Sequence, residues 1–415
     1  MIVRPFKGLR PRKDMVEKVA VRPYDIVTTE EARRIAEKNP HCFYRVTRPE
    51  IDFEGEVDTK SDEVIKKARE NLERLIKEGV MIQDERPCFY VYKLQRGDHS
   101  QIGLVATFSV DEYQQGKIKK HELTRKDKED ERAKHVYLTR AHTGPVYLMY
   151  KSDEEINKTF ESIVSEKEPE YDFEDGSGVR HTFYLVCDEE KIREITEAFK
   201  KLDALYIADG HHRAAAASRA REWWKKENPN HTGDEEYNFF LAVVFPHDRL
   251  KVYEYNRVVK DLNGMSKEEF LRKLKERFNI ENAPEAPYKP KRIHEFGIYF
   301  GNGEWYIMIP KEGVFDPNHP VEKLDVQILQ KNVLSPLLGI ENPRTDPRVS
   351  FVPAVYGLGE LIDAVDKGGF AVGFSLYPTP VEAIMEIADA GLIMPPKSTW
   401  FDPKLKSGIV VHLID

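Results

Sequence analysis

Cysteine is scarce in this sequence. The 415 residues include three cysteines, Cys42, Cys88 and Cys187, which are far apart and odd in number. This count argues against a disulfide framework and against a zinc site built on cysteine, and it is typical of proteins from a reducing compartment. We therefore expect a cytoplasmic protein.

Long apolar runs are missing as well. No run approaches the roughly 18 residues that span a bilayer, and the opening MIVRPFKGLRPRKD lacks the apolar centre of a secretory signal. The net charge of −8 weighs against a nucleic-acid-binding role, because such proteins carry basic surfaces. Neither a membrane nor a nucleic acid is therefore expected as a partner. The sequence is silent on oligomeric state, and a homodimer is compatible with it.

Several motifs that carry enzyme chemistry are also absent. The sequence contains no GxxxxGK[ST] P-loop, no protein-kinase motif set and no GxSxG or CxxC motif. The GxG within FGNGEW is typical of a hairpin turn rather than of a dinucleotide site. A kinase built on this chain must therefore hold phosphates in another way.

The length of the chain and its overall content of apolar and charged residues predict a globular protein of two or three domains. Helix and strand patterns alternate without a strict βαβ rhythm, which predicts an α+β fold with mixed sheets. The segment SDEVIKKARENLERLIKEGV predicts an amphipathic helix, and the strand patterns on both sides of RGDHSQ predict a hairpin. A second hairpin is expected to turn at Asn302 and Gly303, and FFLAVVFP and KVYEYNRVV are expected to pair.

The most informative stretch is LDALYIADGHHRAAAASRARE, residues 202–222. A short buried strand runs into Asp209 and Gly210, and a helix begins at His211, His212 and Arg213. The free backbone N–H groups and the helix dipole at such a junction favour phosphate binding. Arg213 offers a bidentate fork for phosphate oxygens, and the two histidines can donate hydrogen bonds or transfer protons. Gly210 allows a ligand to approach the backbone closely.

A simpler interpretation of the same stretch is a capped helix with polar residues at its exposed start. Asp209 would then be the N-cap residue. A zinc site is less favoured, because adjacent histidines point in different directions and no HExxH motif accompanies them.

The motif DGHHR before a helix resembles the phosphate-binding motif of the ParB/sulfiredoxin-like superfamily, and most closely that of its free serine kinases. Over its whole length the chain is similar to a larger group catalogued as a domain of unknown function. The marks that carry this resemblance are RPFKGLRP, PYDIVTTEEA, NPHCFYRVTRPE, HELTRKDKEDER, PVYLMY, DGHHRAAAA and MPPKSTWFDPKLKSG.

The resemblance implies a general base near the N-terminus, at an acidic residue just after a proline. That pattern falls on Pro23-Tyr24-Asp25 and makes Asp25 the candidate base for a serine hydroxyl. Glu30 and Glu31 are rivals, since an Asp stands here where a Glu is usual. The structural alternative is that Asp25 is a turn residue and that the two glutamates stabilise the start of a helix capped by a threonine.

Two further polar segments are candidates for the same site. In KKHELTRKDKEDERAKH, His121 and Glu122 match a mark of the resemblance, although such a charged run is usually a solvated face. Together with Arg22 and Tyr24, they are our candidate substrate-binding residues. The protein ligands of a metal are left unassigned.

The C-terminal segment MPPKSTWFDPK is a candidate for binding phosphate. Lys397, Ser398 and Thr399 follow two prolines that fix the loop, and they offer one cation and two hydroxyls. The alternative is a surface turn before the last strand.

These patterns lead to one main functional expectation. The chain is expected to transfer a phosphoryl group from a nucleotide to free L-serine, giving O-phospho-L-serine for amino-acid metabolism. Mg²⁺ and ATP are the expected cofactors, with ADP or pyrophosphate as alternative donors. Two other functions stay open: a ParB-like nucleotide-binding regulatory module, and a kinase or ATPase that acts on another hydroxyl compound.

The same resemblance suggests how the chain divides. Residues 1–60 and 180–260 are expected to form a discontinuous ParB/sulfiredoxin-like catalytic core. Residues 61–179 would be an inserted α/β segment, and residues 261–415 a C-terminal α/β domain that completes the active site.

Overall fold

The structure, a computed structural model, describes residues 1–414. The chain forms two compact units. The first contains Met1–Leu250 and the segment from Pro403 onward, and the second is Lys251–Asp402. These limits differ from the three expected segments, because strands from residues 61–179 share one sheet with strands from residues 180–260.

The first unit contains nine α-helices and most of the strands. The helices are α1 (Val16–Val19), α2 (Thr29–Ala36), α3 (Tyr44–Thr47), α4 (Asp62–Lys77), α5 (Val110–Gln114), α6 (Lys126–Thr139), α7 (Glu154–Glu166), α8 (Glu189–Lys200) and α9 (His211–Glu227). The strands up to residue 250 are β1 (Val3–Arg4), β2 (Leu9–Pro11), β3 (Met81–Gln83), β4 (Phe89–Arg96), β5 (His99–Ser109), β6 (Ile118–Lys119), β7 (Ala141–His142), β8 (Val146–Tyr150), β9 (Tyr171–Glu174), β10 (Val179–Val186), β11 (Leu205–Asp209) and β12 (Phe239–Pro246).

A nine-stranded mixed sheet forms the core of this unit. Its order is β6-β11-β8-β12-β5-β4-β10-β9, and β1 pairs with β5 at its side. The central strands β8 and β12 are buried at every position. Such continuous apolar runs are what strands covered on both faces require. The sheet fixes β8 and β11 as antiparallel neighbours, with Tyr206 opposite Met149.

The second unit contains four helices: α10 (Lys267–Arg277), α11 (Asp325–Leu329), α12 (Gly359–Asp366) and α13 (Val381–Asp389). Its strands are β13 (Lys251–Tyr253), β14 (Tyr255–Val259), β15 (Phe278–Asn282), β16 (Phe296–Tyr299), β17 (Trp305–Pro310), β18 (Val349–Pro353), β19 (Val372–Ser375) and β20 (Trp400–Asp402). A six-stranded antiparallel sheet has the order β15-β17-β16-β19-β14-β18, and β13 pairs with β20. The last strand of the chain, β21 (His412–Leu413), belongs to the first unit and pairs with β7.

Much of the predicted secondary structure is confirmed. The fold is α+β with mixed sheets. Helix α4 begins after Ser61, whose side chain accepts a hydrogen bond from the amide of Val64. Strands β4 and β5 form the first expected hairpin, and β16 and β17 form the second, with Asn302 and Gly303 at positive φ.

One local prediction is wrong, and one helix was not predicted. FFLAVVFP and KVYEYNRVV do not pair: β12 lies between β5 and β8, while β13 and β14 join strands of the second unit. The charged run after His121 contains helix α6, which packs against α9. Helix α6 buries Glu131 and His135 as well as Ala133. Its sequence therefore lacks the regular spacing of apolar residues that usually indicates a helix.

The expectation of no disulfide is also wrong. Cys88 and Cys187 form a disulfide with a Cα–Cα distance of 4.4 Å, although 99 positions separate them in the sequence. The antiparallel register of β4 and β10 places Phe89 opposite Val186, so the two cysteines just beyond these strand ends also face each other. Only strand pairing could reveal this contact. Cys42 is free and buried.

Among residues 1–414, no helix is long and apolar enough to cross a membrane.

The disulfide should contribute measurably to stability. Replacing Cys88 and Cys187 together by alanine should lower the free energy of unfolding by about 2–4 kcal/mol, because the crosslink restricts the unfolded chain. Urea unfolding of the oxidised protein and of the double variant measures this difference. Cys42→Ala is the matched control. Equal midpoints for the oxidised and the reduced wild-type protein would contradict the pairing.

Candidate functional site

The predicted junction between strand and helix is present. Strand β11 ends at Asp209, Gly210 has a φ of +90°, and α9 begins at His211. A Cβ atom at residue 210 would lie 3.2 Å from Nη1 of Arg213 and 3.5 Å from Cα of Val146, so both φ and space favour glycine. No described side chain caps the first turn of α9. Its amides and the positive end of its dipole therefore form an anion-binding geometry.

Asp209 does not act as the N-cap residue of the simpler interpretation. Its Oδ1 accepts a hydrogen bond from the amide of Gly210 at 2.8 Å, and its Oδ2 accepts one from Nζ of Lys404 at 2.8 Å. Burial alone would raise the pKa of Asp209, but the positive charges of Lys404 and Arg213 outweigh it and hold the pKa well below its usual range. Asp209 is therefore a carboxylate that anchors a lysine.

Arg213 connects the helix start to the N-terminal segment. Its Nη1 donates to the carbonyl of Pro145 at 2.5 Å, and its Nη2 donates to Oδ2 and Oδ1 of Asp25 at 3.2 and 3.5 Å. The side chain is only 11% exposed. Burial disfavours the charged guanidinium, yet Asp25 and Asp209 raise the pKa of Arg213 further above its ordinary value. Arg213 therefore carries a permanent charge at the site.

Tyr24 lies between two cations. The guanidinium carbon of Arg132, on α6, is 3.6 Å from the centroid of the Tyr24 ring, and that of Arg213 is 5.9 Å from it. Burial raises the pKa of Tyr24, so its ring stays neutral. Cation–π contact with both arginines holds the ring in place beside Asp25.

Two residues missed in the sequence hold the segment that carries Asp25. Arg48 donates from Nη1 to the carbonyls of Tyr24 and Val27 at 2.9 and 3.1 Å, and from Nη2 to Oγ1 of Thr29 at 2.6 Å. Glu50, which is buried, forms an ion pair with Arg48, its Oε1 lying 3.1 Å from Nε. The motif NPHCFYRVTRPE contains both residues, but nothing in their spacing indicates this role.

The rival carboxylates have different surroundings. Thr28 caps α2, and Glu31 closes the capping box by accepting from the amide of Thr28 at 2.7 Å. Glu30 lies exposed in the first turn of that helix. The side chain of Asp25 is 39% exposed and contacts Arg213. Of the three candidates, Asp25 is the one joined to the start of α9.

His121 and His211 form a buried pair. Their ring centroids are 4.4 Å apart with the planes nearly perpendicular. The amide of His121 donates to Nε2 of His211 at 3.4 Å, and Oε2 of Glu122 lies 3.6 Å from Nδ1 of the same ring. Burial lowers the pKa of His121 to about 4 and that of His211 well below its ordinary value. Both imidazoles are therefore neutral near pH 7.

His212 faces the start of α6. Its Nε2 accepts a hydrogen bond from the amide of Arg125 at 3.2 Å. Burial lowers the pKa of this half-buried ring, although Asp25 and Glu129 act in the opposite direction. The two adjacent histidines thus contact different segments.

The remaining predicted residues are described within their own units. Arg22 is half-buried beside Tyr44. Lys397, Ser398 and Thr399 belong to the second unit. There Nζ of Lys397 lies 5.3 Å from the centroid of the Tyr255 ring, and the Ser398 hydroxyl donates to the carbonyl of Pro395 at 2.6 Å. A phosphate-binding role for these three residues stays a prediction.

The side chains at the junction do not fit a resident magnesium ion. Within the described part of the chain, no group of three or more His, Cys, Asp or Glu side chains is arranged to hold a metal. The two aspartates of the site are engaged by cations, Asp25 by Arg213 and Asp209 by Lys404. Mg²⁺ prefers oxygen ligands and often binds mainly through substrate phosphates. The described side chains at this junction therefore do not form a magnesium site of their own.

The buried histidine pair predicts a pH dependence of stability. His121 has a pKa of about 4 when folded and an ordinary value near 6.5 when unfolded. Between these values the unfolded chain binds more protons, so stability should fall as pH decreases, by about 1.4 kcal/mol per pH unit. Urea unfolding of His121→Gln should show a shallower slope between pH 6.5 and 4. His41→Gln is the control, and an unchanged slope in His121→Gln would contradict the assignment.

The comparison with protein families confirms the predicted resemblance to a domain of unknown function over residues 3–327. No curated protein matches the sequence. A free serine kinase in complex with AMP is 18% identical, with 72% of this chain and 86% of that chain covered and a TM-score of 0.36. A variant free serine kinase in complex with ADP is 17% identical, with coverages of 74% and 89% and a TM-score of 0.36. A conserved hypothetical protein from Pyrococcus furiosus is 15% identical, with coverages of 74% and 95% and the same TM-score. Residues 3–327 match the family described as "Protein of unknown function (DUF1015)", and the chain belongs to that family.

Proposed function

We propose that this protein is a small-molecule kinase that transfers a phosphoryl group from a nucleotide to the hydroxyl of free L-serine. The observation that carries the proposal is the contact between Asp25 and Arg213. It brings a carboxylate to the uncapped start of α9 from a position 188 residues away in the sequence. Phosphoryl transfer to an alcohol requires a proton acceptor for the hydroxyl close to the groups that bind the phosphates. A carboxylate beside the start of α9 provides this arrangement.

The donor phosphates would bind at the start of α9. The uncapped first turn of α9 supplies backbone N–H groups, and Gly210 leaves room beside them. Arg213 adds a charge that cannot be lost, which stabilises the charge developing on the transferring group. The neutral imidazoles of His211 and His212 can each donate one hydrogen bond without changing the net charge of the site.

The acceptor hydroxyl would be activated by Asp25. In the transfer, the serine oxygen forms a bond to the γ-phosphorus of ATP, the bond from that phosphorus to the bridging oxygen breaks, and ADP leaves. The hydroxyl proton passes to the carboxylate of Asp25. The Asp25–Arg213 hydrogen bonds are long, at 3.2 and 3.5 Å, so a phosphate can compete for the guanidinium and release Asp25 to the hydroxyl.

The substrates and location follow from this reaction. ATP is the donor that we propose first, with ADP or pyrophosphate as alternatives, and magnesium would arrive bound to the donor phosphates. Tyr24, Arg22, His121 and Glu122 are the proposed serine-binding residues. We propose a ParB/sulfiredoxin-like origin for the site and a cytoplasmic location, where ATP and free serine are available.

A direct assay tests the reaction. Purified protein with L-serine, Mg²⁺ and ATP, ADP or pyrophosphate should yield O-phospho-L-serine, detected by mass spectrometry. Arg213→Ala should reduce kcat/KM by about 10³-fold, because the main charge facing the transferring group is lost. Arg219→Ala is a matched control on the same helix, since Arg219 instead pairs with Glu129 and Asp130 of α6. The proposal fails if no donor gives phosphoserine above background.

A second set of variants identifies the base. Asp25→Asn should lower kcat by about 10²- to 10⁴-fold, because asparagine keeps the shape of the side chain and an oxygen that can accept from Arg213 but cannot take the hydroxyl proton. Glu31→Gln should leave kcat nearly unchanged and lower the melting temperature slightly, since it weakens the capping box. Glu30→Gln completes the comparison. A loss of kcat confined to the Glu30 variant would move the base to that residue.

A further inference from the structure

The second unit contains a cavity that the proposed kinase reaction does not use. Its volume is about 400 Å³, within the range of small-molecule sites. It is bounded by the segment around His294, the start of α11 and the first turn of α13. All of these residues lie within Lys251–Asp402.

A fixed His–Asp pair forms one side of the cavity. Nδ1 of His294 lies 3.0 Å from Oδ1 of Asp325, and the His294 amide donates to both oxygens of the same carboxylate at 2.9 and 3.1 Å. Asp325 is buried. Since Nδ1–H is directed to Asp325, the nitrogen left for a ligand is Nε2, which acts as a hydrogen-bond acceptor.

The backbone at His294 adopts a left-handed conformation. Its φ is +64°, which is uncommon outside glycine, although histidine, asparagine and aspartate adopt it more often than other residues do. The ring also packs on Phe315, with centroids 4.7 Å apart. Such conformations persist where the surrounding contacts determine them, and they concentrate at ligand sites.

Another part of the cavity lining offers donors to an anion. Helix α13 has nine residues, and no described side chain caps its first turn, which Pro380 precedes. Thr379 lines the cavity and is 8% exposed, and its hydroxyl makes no hydrogen bond to any other residue in the range 1–414. A hydroxyl without a partner, on a mostly buried residue beside an uncapped helix start, is expected to bind a ligand oxygen.

Apolar side chains also line the cavity. They are Leu324, Pro317, Tyr377, Pro378 and Ala383. At the rim, Lys323 is engaged by Glu386 at 2.8 Å, and Glu382 remains as an exposed carboxylate. The cavity therefore offers a hydrogen-bond acceptor at His294, hydrogen-bond donors at Thr379 and the start of α13, and an apolar wall.

We propose that this cavity binds a free amino acid with an apolar side chain. Its α-carboxylate faces Thr379 and the first turn of α13, and its α-ammonium faces Nε2 of His294. Its side chain packs on Leu324. A zwitterion can bind the acceptor through its ammonium and the donors through its carboxylate at the same time, which a simple amine or a simple carboxylic acid cannot do.

Isothermal titration calorimetry of the full-length protein tests this. The probes are L-leucine and L-phenylalanine, compared with isopentylamine, which lacks the carboxylate, and 4-methylpentanoate, which lacks the ammonium. Serine is omitted because it is the proposed substrate of the first unit. At least one amino acid should bind, and each analogue should bind tenfold or more weakly, since each loses a hydrogen bond to a charged group.

Three variants locate the binding. His294→Gly removes the ring and suits the positive φ, so the fold should be retained, and Thr379→Val keeps the shape but removes the hydroxyl. Both should weaken amino-acid binding about tenfold or more. Thr345→Val, at an exposed threonine of the same unit, should bind like the wild type. The proposal is overturned if neither amino acid binds at millimolar concentration, or if Thr379→Val, confirmed as folded by its melting temperature, binds as tightly as the wild type.

Discussion

The burial of Arg213 is the constraint on which the candidate site depends. A guanidinium cannot lose its charge in a protein, so a side chain that is only 11% exposed must have its donors satisfied and its charge compensated. The carbonyl of Pro145 satisfies one donor, and Asp25 and Asp209 compensate the charge. The position of Asp25 is in turn maintained by Arg48, which holds the backbone of the preceding turn.

The charged side chains around Arg213 form ion pairs, while two nearby histidines, His121 and His211, are neutral. Lys404 balances Asp209, and Asp25 balances Arg213. Burial keeps His121 and His211 uncharged. Arg213 therefore has a partner that is partly exposed, and no side chain of residues 1–414 caps the helix start beside it. This arrangement favours an anion that arrives with its own charge over a metal held by the protein.

The sequence by itself determined the local features of this protein. The residues from Leu205 to Arg213 contain the end of a strand, a glycine and the start of a helix within nine positions, and local backbone preferences are sufficient to place them. The capped start of α2 and the hairpin at Asn302 were predictable for the same reason. The helix α6 was not, because it buries charged and apolar side chains together and shows no clear period.

Only the tertiary structure decided which distant residues meet. The contacts from Asp209 to Lys404, from Arg213 to Asp25 and from Cys88 to Cys187 join positions 195, 188 and 99 residues apart. Each follows from strand order and register or from the packing of connecting segments on the sheet. Pattern in one sequence cannot supply this information, because the order of strands is set by the burial of the whole core. The sequence therefore located the junction between strand and helix. The fold brought Asp25, rather than Glu30 or Glu31, into contact with that junction and added Lys404, Arg48 and Glu50 around it.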